Sequence, residues 1–480
     1  VSAPAPNSAF PKVDAPLGKL QIFGYSALMW PLVMAAASVP TFIPSYYSRS
    51  LGLSLATIGI ATLIGRFADI ASDITVSYLS DNTRGRFGRR RPWVVLGTPL
   101  FLVTMWELCR PPAGLSPAGT VVLMVAFFWC WTTVLIPYLA QASEITSNDR
   151  SRNRINVLQA MFSSFAGIIP SLIVYLVRDA DPANVPYGTI LTVTAIITMV
   201  TMPVALALYV WLAPERVAVP TSRARVAYSA VLGNRVFRLF LGGNVLIQAG
   251  WYWYLTLLPF NVSYVLEAPA LVLPLFLMSQ TGAIVAAPLF PRLMDRLGRA
   301  RAFALLAAVP ALGMAVTFFL HPGHPGVTSA VFIVTGLTVS PLAMLPFSIA
   351  SDAAQYALWK TRQDSTGLHV GVVSLTIKLA LVATGGALWL TSYWGFEPSH
   401  PVNSPAAIMA LRVLATFVPA GMMAIGALCV LVFPITKRRL QVIQSRLRAR
   451  PSTATADFGE RAAMATRRRE AAAVRAPGRG

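Results

Sequence analysis

The strongest constraint on this chain is a recurrence of apolar runs, each about 20 residues long, the length an α-helix needs to cross a hydrocarbon core of ~30 Å. Twelve runs follow one another, at approximately 21–45, 55–80, 93–110, 116–140, 156–177, 186–213, 239–265, 269–291, 302–320, 326–350, 368–395 and 406–433. Composition agrees: 55% of residues are hydrophobic and 12% charged, against about 25% charged in soluble domains. In lipid the backbone must satisfy its own hydrogen bonds, so these runs read as helices, with Pro31, Pro40, Pro44 and Pro170 marking bends between packed neighbours. The expected fold class is an all-α membrane protein with twelve transmembrane helices.

A net charge of +21 would point to nucleic acid in a soluble protein. Here the basic residues gather in alternate connections, as the positive-inside rule describes, so no nucleic-acid partner is expected. Arg84, Arg89 and their neighbours, Arg150 to Arg154, Arg216 to Arg235, Arg296 to Arg301, and Lys360 with Arg362 fall on one side. That side is then the cytoplasm, and both termini face it. The expected organisation is a disordered N-terminus over 1–20, a six-helix bundle over 21–213, a linker over 214–238, a second six-helix bundle over 239–433 and a basic tail over 434–480. The first apolar run lacks the short core and cleavage site of a signal peptide and reads as the first membrane helix. Cys109, Cys130 and Cys429 stand singly in apolar runs, without disulfide or metal-binding spacing. No GxxxxGK phosphate loop is present, so direct ATP coupling is not indicated.

Ionisable groups deep in a span cost about 2.5 to 3.5 kcal/mol each on insertion scales and mark function by default. Asp69 and Asp73 lie four apart, hence on one helix face, with Ser72 between them. At a rise of ~1.5 Å per residue, Asp69 lies ~17 Å, Asp73 ~10 Å, Thr132 ~12 Å and Lys378 ~15 Å from the cytoplasmic ends of their spans. All four can share one layer. Two adjacent carboxylates do not both ionise cheaply unless a proton, a metal ion or an ammonium joins them, and hard oxygen ligands favour an alkali cation over a transition metal. A static Asp–Lys ion pair is the alternative. The run Trp251-Tyr252-Trp253-Tyr254 presents alternate members to different sides, so half can line a cavity while half pack or anchor at the interface.

Two loops echo each other: Asp81 to Arg91 after the second span, and Asp295 to Arg301 after the eighth. The repeat argues for a duplicated six-helix bundle. The acidic, Gly- and Arg-rich pattern resembles the loop motif of the major facilitator superfamily, in which two halves rock about a central site and such loops latch the cytoplasmic side. By that resemblance Asp81, Arg84, Arg89, Asp295, Arg299 and Asp352 form a cytoplasmic gate. The stretch Arg66-Phe67-Ala68-Asp69-Ile70-Ala71-Ser72-Asp73, the loop Leu79 to Trp93, Ile136-Pro137-Tyr138, Glu144-Ile145-Thr146, Ser351-Asp352 with Tyr356, and Lys378 together resemble the glycoside-pentoside-hexuronide:cation symporter family.

The resemblance implies an alternating-access symporter rather than an enzyme, with no cofactor beyond a coupling ion, Na+ or H+. Asp69, Asp73, Ser72 and Thr132 would bind the cation, with Lys378 as coupling partner. Ser72 stands where the family has asparagine. The family's sugar-binding acids have no counterparts: the first helix offers Met29, Trp30 and Pro31, and Leu135 precedes Ile136. The substrate is expected to be a sugar, glycoside or related small organic solute held by Trp30, Asn244, Gln248, Trp251 and Trp253, or alternatively a lysolipid or other amphipathic molecule. A non-transport membrane enzyme or scaffold is the second alternative. Membrane lipids are the other expected partners. A functional monomer in a plasma membrane, the bacterial inner membrane, is the corresponding expectation.

Overall fold

The computed structural model describes residues 17–83, 87–146, 149–177, 187–214, 233, 235–286, 289–323, 325–361, 366–400, 402–433, 439, 442 and 445. The expectations for the N-terminus before 17, for Arg84, for most of the linker and for most of the basic tail lie outside the described residues.

Among the described residues there are sixteen α-helices and no strand. They are α1 (Lys19–Ser26), α2 (Met29–Leu51), α3 (Leu55–Asn82), α4 (Arg91–Cys109), α5 (Pro117–Ile145), α6 (Asp149–Val177), α7 (Tyr187–Leu212), α8 (Arg235–Phe260), α9 (Val272–Ala286), α10 (Phe290–Leu297), α11 (Arg299–Thr317), α12 (Pro325–Gly336), α13 (Val339–Thr361), α14 (Thr366–Leu381), α15 (Ala383–Tyr393) and α16 (Pro405–Leu431). Each of the twelve expected spans contains helix. Three spans are interrupted: α1 and α2 share the first, α12 and α13 the tenth, and α14 and α15 the eleventh.

Nine spans among the described residues are long and apolar enough to cross a membrane by length and composition. The other three expected spans correspond to α6, α8 and α9; of these α8 carries Arg235, Arg238, Asn244 and Gln248, and α9 spans 15 of the described residues.

Local chemistry sets several helix starts. Ser54, Ser116 and Ser404 accept the backbone N–H groups of Thr57, Gly119 and Ala407 at 3.2, 3.1 and 3.2 Å. Two of these caps precede a proline, Pro117 or Pro405, in the first turn, where its missing N–H costs nothing. Packing then joins α3 to α5, α4 to α5, α2 to α7, α8 to α16 and α11 to α16.

The two ends of the sequence also meet directly, through α3 and α15. A Cβ on Gly59 would stand 2.7 Å from both the Gly385 carbonyl oxygen and the Trp389 nitrogen, and one on Gly385 would stand 2.6 Å from the Gly59 carbonyl oxygen. Only glycine at both positions lets the two backbones touch, the small-residue contact common between membrane helices.

Candidate functional site

The i,i+4 spacing of Asp69 and Asp73 on α3 aims both carboxylates at α14, where Lys378 occupies the last turn. The Lys378 Nζ donates to Asp69 Oδ1 at 2.9 Å and to Asp73 Oδ1 at 2.6 Å. From α5, Thr132 Oγ1 donates to the same Asp69 oxygen at 2.7 Å. Asp69 is 1% exposed, whereas the side chains of Lys378 and Asp73 retain 14% and 21% exposure. The ammonium also stands 5.7 Å from the centre of the Trp131 ring. Two ionised carboxylates and one ammonium leave this trio one negative charge, and Asp73 is the more open of the two carboxylates.

Ser72 is buried beside the pair, but its hydroxyl donates to the Asp69 carbonyl oxygen at 2.8 Å, so its proton is held by the backbone. The expected substrate residues are dispersed. Asn244 donates to Thr376 Oγ1 at 3.0 Å, tying α8 to α14, and Gln248 donates to the Leu342 carbonyl at 2.9 Å, tying α8 to α13. Trp253 donates through Nε1 to the Leu414 carbonyl at 2.7 Å, and Trp251 packs near Tyr254 with 6.1 Å between ring centres. Trp30 meets the edge of Phe162, and its indole Nε1 has no hydrogen-bond partner among the described residues. Asn244, Gln248 and Trp253 thus already spend their donors on neighbouring helices.

Of the expected gate, Arg299 and Asp352 pair directly. Asp81 pairs with Arg90, whose guanidinium also donates to Ser80 Oγ at 2.7 Å. Arg89 lies in the bend before α4, and Asp295 lies exposed on α10.

Two further residues stand beside the site without having been given a role from the sequence. Arg66, one turn before Asp69, is 5% exposed, with its guanidinium 4.3 Å over the Phe128 ring. Trp131 flanks the Lys378 ammonium. The signal for Arg66 was present: it lies three residues from Asp69, inside the same span and on the same face. Trp131 carries no such mark, being one aromatic in an apolar helix beside Trp129.

The family described as MFS/sugar transport protein matches residues 23–437. The chain is 25% identical over 405 residues to the inner membrane symporter YicJ of Escherichia coli, spanning 80% of this chain and 84% of that protein. It is 23% identical over 432 residues to a glucuronide carrier protein homolog of the same organism, spanning 88% and 94%. Among solved structures, the nucleoside transporter NupG superposes with a TM-score of 0.61 at 12% identity, over 87% of this chain and 99% of that one, a likeness of fold.

Proposed function

Since this chain belongs to the MFS/sugar transport protein family, we propose that it is a cation-coupled symporter of a sugar or glycoside, working by alternating access. It is a multi-pass membrane transporter and not an enzyme. The symporter relatives support the coupling. The observation that carries it in this chain is the Lys378 ammonium bridging Asp69 and Asp73.

In this reading Lys378 holds the cation site in the unloaded carrier. A sodium ion or a proton entering past Asp73 takes its place, with Thr132 oxygen available as a neutral ligand for sodium. The displaced ammonium then has the face of Trp131 beside it, a cation–π contact of about 0.5–2 kcal/mol. Displacement changes the contacts between α3 and α14, and so couples ion occupancy to their separation. The Arg299–Asp352 and Arg90–Asp81 pairs secure the loop ends of each half, which rock about the site. Both termini face the cytoplasm, the membrane is a bacterial inner membrane, and the unit is a monomer in lipid.

The test is uptake of radiolabelled glycosides into proteoliposomes under imposed sodium or proton gradients, comparing wild type with Asp69→Asn, Asp73→Asn and Lys378→Ala. Gradient-driven accumulation should collapse in all three while downhill exchange persists in some. Accumulation at the wild-type level in every variant would sink the coupling. A lysolipid in the same assay separates the amphipathic substrate from the glycoside.

A further inference from the structure

Arg66 is a buried cation without a matching anion of its own. Among the described residues no carboxylate pairs with it, and its Nε has no hydrogen-bond partner. The nearest acid, Asp69, is already engaged by Lys378 and Thr132. Contact with Phe128 satisfies the face of the guanidinium plane but none of its in-plane N–H donors. An arginine left this way is costly, and its planar fork fits the two oxygens of a carboxylate or phosphate.

What the guanidinium lines is a narrow cavity between α3 and α5 on one side and α8 and α15 on the other. Thr62, Arg66 and Phe128 form one wall, and Thr256, Thr384 and Leu388 form the other. Thr62 and Thr256 donate their hydroxyl protons to carbonyls of their own helices, and Thr384 donates to the Leu381 carbonyl at the end of α14. That leaves Arg66 as the charged donor in the cavity, one helical turn from the carboxylate pair.

The charge count gives this placement a consequence. Asp69, Asp73, Lys378 and Arg66 sum to zero. Loading one sodium ion or proton makes the cluster +1 in a low-dielectric interior, where net charge is penalised. An anion on Arg66 restores zero. We propose that Arg66 is the subsite for an oxyanion group of the substrate, a carboxylate or phosphate, and that this anion and the coupling cation neutralise each other so that both load together. The coupling half of this inference rests on the symport reading above. The subsite half stands on Arg66 alone.

The experiment measures binding to the purified full-length protein by thermal shift and isothermal titration, with and without sodium and at two pH values. The probes are 4-nitrophenyl β-D-glucuronide against 4-nitrophenyl β-D-glucoside, and 1-lauroyl lysophosphatidate against 1-monolaurin. Wild type should prefer the acidic member of one pair at least tenfold. The pair that responds identifies a sugar acid or a lipid phosphate as the source of the anion. Arg66→Gln should abolish that preference, and Arg66→Lys should retain part of it. Reconstituted protein on solid-supported membranes should then carry the acidic probe with sodium without net current. Equal affinity for charged and neutral members, response to neither pair, or an unchanged preference in Arg66→Gln overturns the subsite. Cation-dependent binding of the glucoside, untouched by Arg66→Gln, would leave symport standing while the subsite fell. Acidic-probe binding indifferent to both sodium and pH would do the reverse.

Discussion

The carboxylate of Glu397, just beyond α15, accepts the backbone N–H of Leu55 in the first turn of α3, at 3.0 and 3.3 Å to its two oxygens. The residues are 342 positions apart. Glu397 is itself fixed: its N–H donates to Asn403 Oδ1 at 2.9 Å, Asn403 Nδ2 returns a bond to its carbonyl at 3.0 Å, and the Ser392 hydroxyl donates to its side chain. Nearby, Tyr264 donates to the Pro398 carbonyl at 2.9 Å while Arg49 lies 5.0 Å over its ring. A negative charge at a helix N-terminus contributes about 0.3–1 kcal/mol, and up to ~2 when partly buried. This carboxylate thus ties α15 to the start of α3.

Glu397→Ala should loosen that tie locally. Amide hydrogen exchange across residues 55–58 is expected to accelerate roughly 5- to 30-fold, as a loss of about 1–2 kcal/mol requires. Exchange in α4, which has no contact with Glu397, should stay at the wild-type rate. Unchanged protection at residues 55–58 would show that Ser54 alone secures the helix start.

Gly59 predicts a second, steeper effect in the same seam. Its added Cβ would meet backbone atoms at 2.7 Å, which cannot rotate away as a side chain can. Gly59→Ala should therefore part α3 from α15 at a cost of about 1–3 kcal/mol, the usual range for overpacking. The readout is the apparent Tm of detergent-purified protein. Gly52, with nothing within 4 Å of a Cβ but a left-handed φ of 68°, serves as a contrast in which strain replaces collision.

Thr132 separates hydroxyl chemistry from bulk at the carboxylate pair. Thr132→Ala removes the donor to Asp69 and should raise the half-saturating cation concentration roughly 5- to 10-fold, consistent with about 1–1.5 kcal/mol for one such bond. Thr132→Ser keeps the hydroxyl and should remain within about twofold. If both variants shift equally, packing and not the hydroxyl accounts for the effect.

The two loop ion pairs are asymmetric in opposite senses, and mutation should expose that. In Arg299–Asp352 the aspartate is the buried member, with 7% side-chain exposure against 41%. In Arg90–Asp81 the arginine is buried, at 5% against 50%. Arg299→Ala removes the partner of the buried Asp352 and, with the arginine itself half exposed, should cost about 1–3 kcal/mol, between the values for exposed and buried pairs. Asp81→Ala leaves Arg90 its bond to Ser80 and should cost less. Thermal unfolding of the two variants side by side tests the order.

The sequence made the carboxylate site legible because helix periodicity alone aligns residues four apart, and depth along a span places Thr132 and Lys378 in the same layer. Partner choice was harder. Arg84, Arg89 and Arg90 are near-equivalent in a basic loop, and spacing alone does not mark Arg90 as a partner of Asp81 and Ser80. Asn244 and Gln248 read as substrate ligands because they are amides in a span, but their donors bind α13 and α14. Whether a buried polar group faces a cavity or a neighbouring helix depends on packing between segments some hundred residues apart. Trp253 likewise donates its indole N–H to α16. The interruption of the first span falls just before Pro31 and that of the tenth just before Pro341, whereas the eleventh breaks at Val382 with no proline beside it.

One of those interruptions has a mechanical meaning. The eleventh span breaks at Val382, four residues beyond Lys378, where the Val382 N–H turns to the Leu379 carbonyl at 3.2 Å. On one side of the break, α15 is seated against α3 at the Gly59–Gly385 contact. On the other, α14 carries the ammonium. The span is thus two segments joined at Val382, one seated on α3 by bare backbone and the other holding the ammonium against the carboxylates of that same helix.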